Sequence, residues 1–273
     1  MDKETFALKE RYTLEDVPRL VRRLRDPENG CPWDAVQTHE SVRQNFLEEV
    51  CEALDAIDRG STEDLEEELG DVLLQVCMHA EMESEKGTFD IDGLSDYLIK
   101  KLVYRHPHVF GDVRADDEGT VLMNWEQLKR KEKSQKTGAD AVDAVPKALP
   151  ALMRAQKMVK RAAYAGFGRR DAAGSCEEVA RLAEQLKRTA AEGGDIGQTL
   201  GRLLFEAAGA AHWAGIDAEL SLTRACDSFS EGFRRTEELA AEENISFENS
   251  DPAALERLWS EANKQTNGEK KND

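Results

Sequence analysis

The stretch VRQNFLEEVCEALDAIDRGSTEDLEEELGDVLLQV, from Val42 to Val76, decides the fold. Val42, Phe46, Val50, Leu54 and Ile57 recur at steps of four, four, four and three, which marks one stripe of a helix. Gly60 ends it. Ser61, with Asp64 three residues later, reads as a capping box that opens a second helix. The stripe of that helix is Leu65, Leu69, Val72 and Val76, and Gly87 supplies its stop. Two such helices joined by so tight a turn predict an antiparallel pair whose seam is closely packed at Gly70.

Working outward, a third helix is expected from Asp92 to Tyr104, ended at His106-Pro107 because the residue before proline avoids the helical region. A fourth starts near Thr120 and carries Val121, Leu122, Trp125 and Leu128. The polar, alanine-rich run from Ser134 to Pro150 has no sustained apolar stripe and reads as a linker. Helical periods resume over about 151–163, 175–191, 196–213, 217–242 and 252–264, before a polar tail. Short echoes join the halves. Leu69-Gly70-Asp71 returns as Leu200-Gly201-Arg202, Glu48-Glu49-Val50 as Glu177-Glu178-Val179, and Trp125 as Trp259. The expectation is an all-α chain of two tandem helical-bundle repeats. Residues 1–135 form the first, 136–148 a linker, 149–265 a degenerate second repeat and 266–273 a disordered tail.

Charge narrows the class of function. The chain carries 37 basic and 55 acidic residues, a net charge of -18, and so repels nucleic acid polymers and anionic lipid. No stretch is apolar for long enough to span a bilayer. The first residues, MDKETFALKERYTLED, hold no apolar core of a secretory signal. Cys31, Cys51, Cys77, Cys176 and Cys226 are odd in number and never spaced as CxxC, which suits a reduced, cytoplasmic compartment.

The densest chemical signal is acidic. Glu48, Glu49 and Glu52 lie on the first helix, and Glu68 and Asp71 on the second. Spacings of three and four put each set on one face, beside residues of the apolar stripes. Like charges beside a dry seam repel, and a cation between them removes the conflict. An oxygen-only donor set suits Mg²⁺ or Mn²⁺ rather than zinc. Acidic helices are more often solvated faces, and Asp55, Asp58, Glu63, Asp64, Glu66 and Glu67 are read that way. Lys101 and Arg105 form a cationic i,i+4 pair, while Trp125 reads equally as core or as a platform for a base.

E-E-x-x-E followed by E-x-x-D, with CPWD upstream at Cys31 to Asp34, resembles the MazG family of nucleoside triphosphate pyrophosphohydrolases. So do Gln37-Thr38, RHPHVF from Arg105 to Phe110, WEQLK from Trp125 to Lys129, and LPALMRAQKMVKRAAYAGF from Leu149 to Phe167. The resemblance spans nearly the whole chain. It implies an all-α nucleotide pyrophosphatase, usually a homodimer, that converts an NTP or dNTP to monophosphate and pyrophosphate. Mg²⁺ would be the cofactor, with Mn²⁺ as a substitute. Glu49, Glu52, Glu68 and Asp71 become the implied metal ligands, and Glu48 the acid that orients or deprotonates the attacking water. Lys101, Arg105, Trp125 and Lys129 become the implied nucleotide contacts.

Three of the four ligand positions are replaced in the second repeat, by Arg181, Thr199 and Arg202, so the site is expected in the first. No P-loop is present, and the Glu-x-x-His pairs of a di-iron bundle are missing. The remaining alternatives are a non-catalytic nucleotide-sensing or partner-binding helical protein, and a pyrophosphohydrolase specific for dUTP or phosphoribosyl-ATP.

Overall fold

The computed structural model describes residues 6–111, 121, 125, 128–129, 132, 135–168, 171–247 and 251–269, with 264–269 described for the backbone alone. Among them every regular element is helical and there is no strand. The chain divides into two compact units, Met1–Leu128 and Lys129–Asp273. The first holds α1 (Asp16–Leu24), α2 (Arg43–Arg59), α3 (Thr62–Glu85), α4 (Ile91–Arg105) and a single turn, α5 (Pro107–Phe110). The second holds α6 (Gly138–Asp143), α7 (Ala151–Tyr164), α8 (Ala172–Ala191), α9 (Gly197–Trp213), α10 (Ala218–Glu242) and α11 (Pro252–Glu269). The helix expected from Thr120 falls mostly outside the described residues, although Val121, Trp125, Leu128 and Lys129 are helical.

The α2–α3 hairpin forms where the sequence places it. Gly60 adopts the left-handed conformation (φ 68°), so its N–H and that of Ser61 reach back to the carbonyls of Ile57 and Ala56, each at 3.1 Å. The Ser61 hydroxyl accepts the Asp64 N–H at 3.3 Å, but only this half of the capping box forms. The Asp64 carboxylate turns instead to the Arg59 guanidinium, 2.9 Å away.

The seam between the helices differs from the stripe read on α2. Val42 is buried with Val21, Cys77, Met78 and Met82, whereas Val50, Leu54 and Ile57 are exposed. Ala53 and Ala56, 7% and 0% exposed, line the buried face in their place. The reason is geometric. Each step of four overshoots a 3.6-residue turn by about 40°, so the large side chains rotate away from α3 as α2 proceeds. Nor does Gly70 mark a close approach, since a Cβ added there meets nothing within 4 Å.

Arg25, 6% exposed, locks the loop before α2. Its guanidinium grips Glu85 at 2.7 and 2.9 Å and donates to the carbonyls of Asp34 and Gln37 at 2.8 and 3.2 Å. The turn from Cys31 to Asp34 is thereby tied to the end of α3.

In the second unit, α8 and α9 form another hairpin, and α10 pairs with α11 around Leu239, Ala240, Leu258 and Ala262. The run expected to be a linker is not featureless. Thr137 and Asp140 make a full capping box for α6, Ala141 and Val145 are buried, and Arg161 of α7 donates to the Ala141 carbonyl at 2.7 Å. Small alanines bury little area and leave no stripe to read, so composition hid this helix. At the other end α11 continues to Glu269, through part of the tail expected to be disordered; 270–273 lie outside the described residues.

Candidate active site

Glu49 sits on α2 between Phe46 and Ala53, on the face turned toward α3. Glu68 and Asp71 sit one turn apart on α3. One carboxylate oxygen from each of Glu49, Glu68 and Asp71 falls within 4.8 Å of the others, and all three residues are half-buried. Burial, then the charges of Asp71, Glu52 and Glu48, raise the pKa of Glu49. Burial, then repulsion from Glu52 and a hydrogen bond shared with it, raise that of Glu68. The hairpin thus gathers anions that resist ionising together, in a geometry that a cation would relieve.

The other residues singled out from the sequence are placed as follows. Glu52 is exposed beside Glu68. Glu48 is exposed next to the cluster, and the Gln44 amide donates to it at 3.4 Å. Lys101 is half-buried on α4, its ammonium 5.5 Å from the centre of the Tyr97 ring. Arg105, 7% exposed, lies 5.3 Å over the Trp125 ring, so these two are brought together. Lys129 is helical and half-buried.

The sequence reading passed over a polar ridge on α3. Gln75, His79 and Glu83 follow Asp71 at steps of four, a row that drifts around the helix by about 40° per step. His79 stacks on His39 with ring centres 5.0 Å apart and a ring nitrogen 2.7 Å from one of His39. The other His39 nitrogen meets the Glu83 carboxylate at 2.7 Å. Lys86, Thr88 and His39 hold the Glu83 pKa at about 2. Burial, then His39, lowers that of His79. Gln75 is 8% exposed, and its carbonyl Oε1 has no hydrogen-bond partner. A lone glutamine inside the apolar run Val72-Leu73-Leu74-Gln75-Val76-Cys77 was the available signal.

Residues 37–110, which contain this hairpin and its polar ridge, match the MazG nucleotide pyrophosphohydrolase domain. A nucleoside triphosphate pyrophosphohydrolase of Escherichia coli is 38% identical over 256 residues, covering 92% of this chain and 97% of the relative. The chain belongs to the MazG family. The Thermotoga maritima nucleoside triphosphate pyrophosphohydrolase/pyrophosphatase MazG is 34% identical over 249 residues, 91% of this chain and 95% of that one. A nucleoside triphosphate pyrophosphohydrolase of Mycolicibacterium smegmatis is 42% identical over 157 residues, 56% of this chain and 47% of its own. Among the described residues no helix of this MazG chain is long and apolar enough to cross a membrane.

Proposed function

We propose that this MazG chain hydrolyses ribo- or deoxyribonucleoside triphosphates to monophosphate and pyrophosphate, with Mg²⁺ or Mn²⁺, at one site in its first unit. The full-length likeness to the Escherichia coli and Thermotoga maritima proteins supports the reaction. The observation that carries the site is the convergence of Glu49, Glu68 and Asp71 within 4.8 Å. The carboxyl pKa values of Glu49 and Glu68 are raised, first by burial and then by the neighbouring carboxylates. An all-oxygen donor set of this kind fits a hard divalent ion.

Glu49, Glu52, Glu68 and Asp71 would hold the ion. When bound it neutralises charge on the phosphate oxygens and makes water a better nucleophile. Glu48, outside the converging trio, orients that water or takes its proton. Lys101 and Arg105 offer donors for phosphate oxygens, and Trp125, steadied by Arg105, stacks on base or ribose. Five unpaired cysteines suit a cytoplasmic enzyme. A second copy of the chain is the expected partner. Leu47, Val50, Leu54 and Ile57 of α2 and Leu98, Ile99 and Leu102 of α4 all lie exposed, apolar side chains that a second copy would cover.

The test is product analysis with a panel of NTPs and dNTPs. Monophosphate and pyrophosphate should appear with Mg²⁺ and vanish with EDTA. Nucleoside diphosphate and orthophosphate as the main products would overturn the proposal.

A further inference from the structure

Gln75 is one of the few buried polar residues of the first unit, and the only described residue there that buries a polar side-chain atom with no partner. Its neighbours on α3 fix its place. Asp71, four residues before it, belongs to the carboxylate trio. His79, four residues after it, faces Phe46 of α2 with ring centres 5.6 Å apart. On α2 the facing positions are Glu49 and, three residues earlier, Phe46. Gln75 therefore enters the α2–α3 seam between the carboxylates and the His79 ring, on the face that carries Asp71.

The buried amide oxygen has an acid one turn before it along α3 and an imidazole ring one turn after it, and it lacks a donor. The carboxylates cannot supply one. A divalent ion held by them can, because Mg²⁺ keeps several of its waters and those waters are strong hydrogen-bond donors. Groups behind the ligands of a metal commonly set its affinity in this way, by fixing ligands and waters in place.

We propose that Gln75 is a positioning residue of the cation site, its Oε1 accepting a hydrogen bond from water that accompanies the ion held by Glu49, Glu68 and Asp71. This rests on the cation site proposed above. It accounts for a polar group kept in an apolar run where leucine or methionine would pack without loss, and it extends the site by one turn of α3 beyond the acids.

Mn²⁺ binding by the full chain, followed by electron paramagnetic resonance without nucleotide, tests it. Gln75→Met keeps the volume and removes the acceptor. It should weaken Mn²⁺ binding by about tenfold, while the melting temperature in EDTA holds or rises because the orphaned oxygen is gone. Gln75→Glu keeps an acceptor and should bind Mn²⁺ within about threefold of wild type or tighter. Gln75→Asn withdraws the amide by one methylene and should lose affinity in the same direction as Gln75→Met, so it decides the matter if that variant does not fold. Equal Mn²⁺ affinity in wild type, Gln75→Met and Gln75→Asn overturns the role of Gln75 and leaves the cation site standing. A wild-type chain that takes up no Mn²⁺ overturns both.

Discussion

The two hairpins, α2–α3 and α8–α9, answer the same electrostatic problem in opposite ways. In the first, Glu49, Glu68 and Asp71 converge, and burial followed by neighbouring carboxylates raises the pKa of Glu49 and Glu68. In the second, Glu178 is held by Arg181 at 2.6 and 2.7 Å, and Arg202 of α9 comes within 4.0 Å. Arg181 has its pKa raised by its hydrogen bonds to Glu178 and by the Glu178 charge, with a smaller contribution from Glu206. One hairpin gathers carboxylates with no basic side chain among them, and the other carries its cations as side chains. The helix pair can therefore persist while the sign of its site is rewritten, which separates what folds the chain from what reacts.

The sharpest way to break this contrast is to remove one acid from each hairpin. Glu49→Ala should lower turnover at least about a hundredfold, since metal-assisted charge stabilisation contributes on the order of several kcal/mol. Glu178→Ala should leave turnover near wild type, because its partners are arginines. Steady-state rates of both variants in the full chain check this, and the reverse result would move the site to the second unit.

A smaller effect concerns stability. Saturating Mg²⁺ should raise the melting temperature of the first unit, by about 2.7 kcal/mol of added stability at a hundred times the dissociation constant. The melting temperature of Glu68→Ala should hold or rise in EDTA and respond weakly to Mg²⁺. Differential scanning calorimetry with and without EDTA reads both, and equal Mg²⁺ responses in Glu68→Ala and wild type would remove Glu68 from the site.

The smallest effect is on pH. Glu49 and Glu68 have raised pKa values in the folded chain, so the stability they contribute in EDTA is fully present below the ordinary carboxylate range. It is lost as pH rises through their raised values. Glu83 works the other way. Its contribution is present above the ordinary range and lost as pH falls toward about 2. Urea titrations in EDTA should therefore show wild type losing stability relative to Glu49→Gln as pH rises above the ordinary carboxylate range. A difference between the two that does not change with pH would deny that the acid cluster is strained.

Much of this architecture was legible in the residues. The expected span 42–59 became Arg43–Arg59, and Gly60 turns the chain as its position promised. Glu49, Glu68 and Asp71 meet because spacings of three and four leave a helix no other choice of face. What escaped notice was not local. Whether Val50, Leu54 and Ile57 or the small Ala53 and Ala56 would meet α3 depends on the drift of a four-residue repeat around the helix. The joining of His39 to His79 and Glu83 links residues about forty apart in sequence. Helix α1 went unread although Val17, Leu20, Val21 and Leu24 of DVPRLVRRL fall at helical spacing, because it is short and holds a proline, and Val21 is fully buried.

Ala53 and Ala56 carry a last consequence. With only methyl groups between them, α2 and α3 can approach as closely as helices do, and the distance between facing carboxylates is set by those methyls. The pair works as a calliper. At the cation site proposed above, a pair closed on alanine would favour an ion of small radius with short oxygen bonds, such as Mg²⁺; wedged open by a bulkier side chain, it would favour Ca²⁺, which takes longer bonds and more ligands. The choice between two ions of equal charge would then be written in two residues that touch neither.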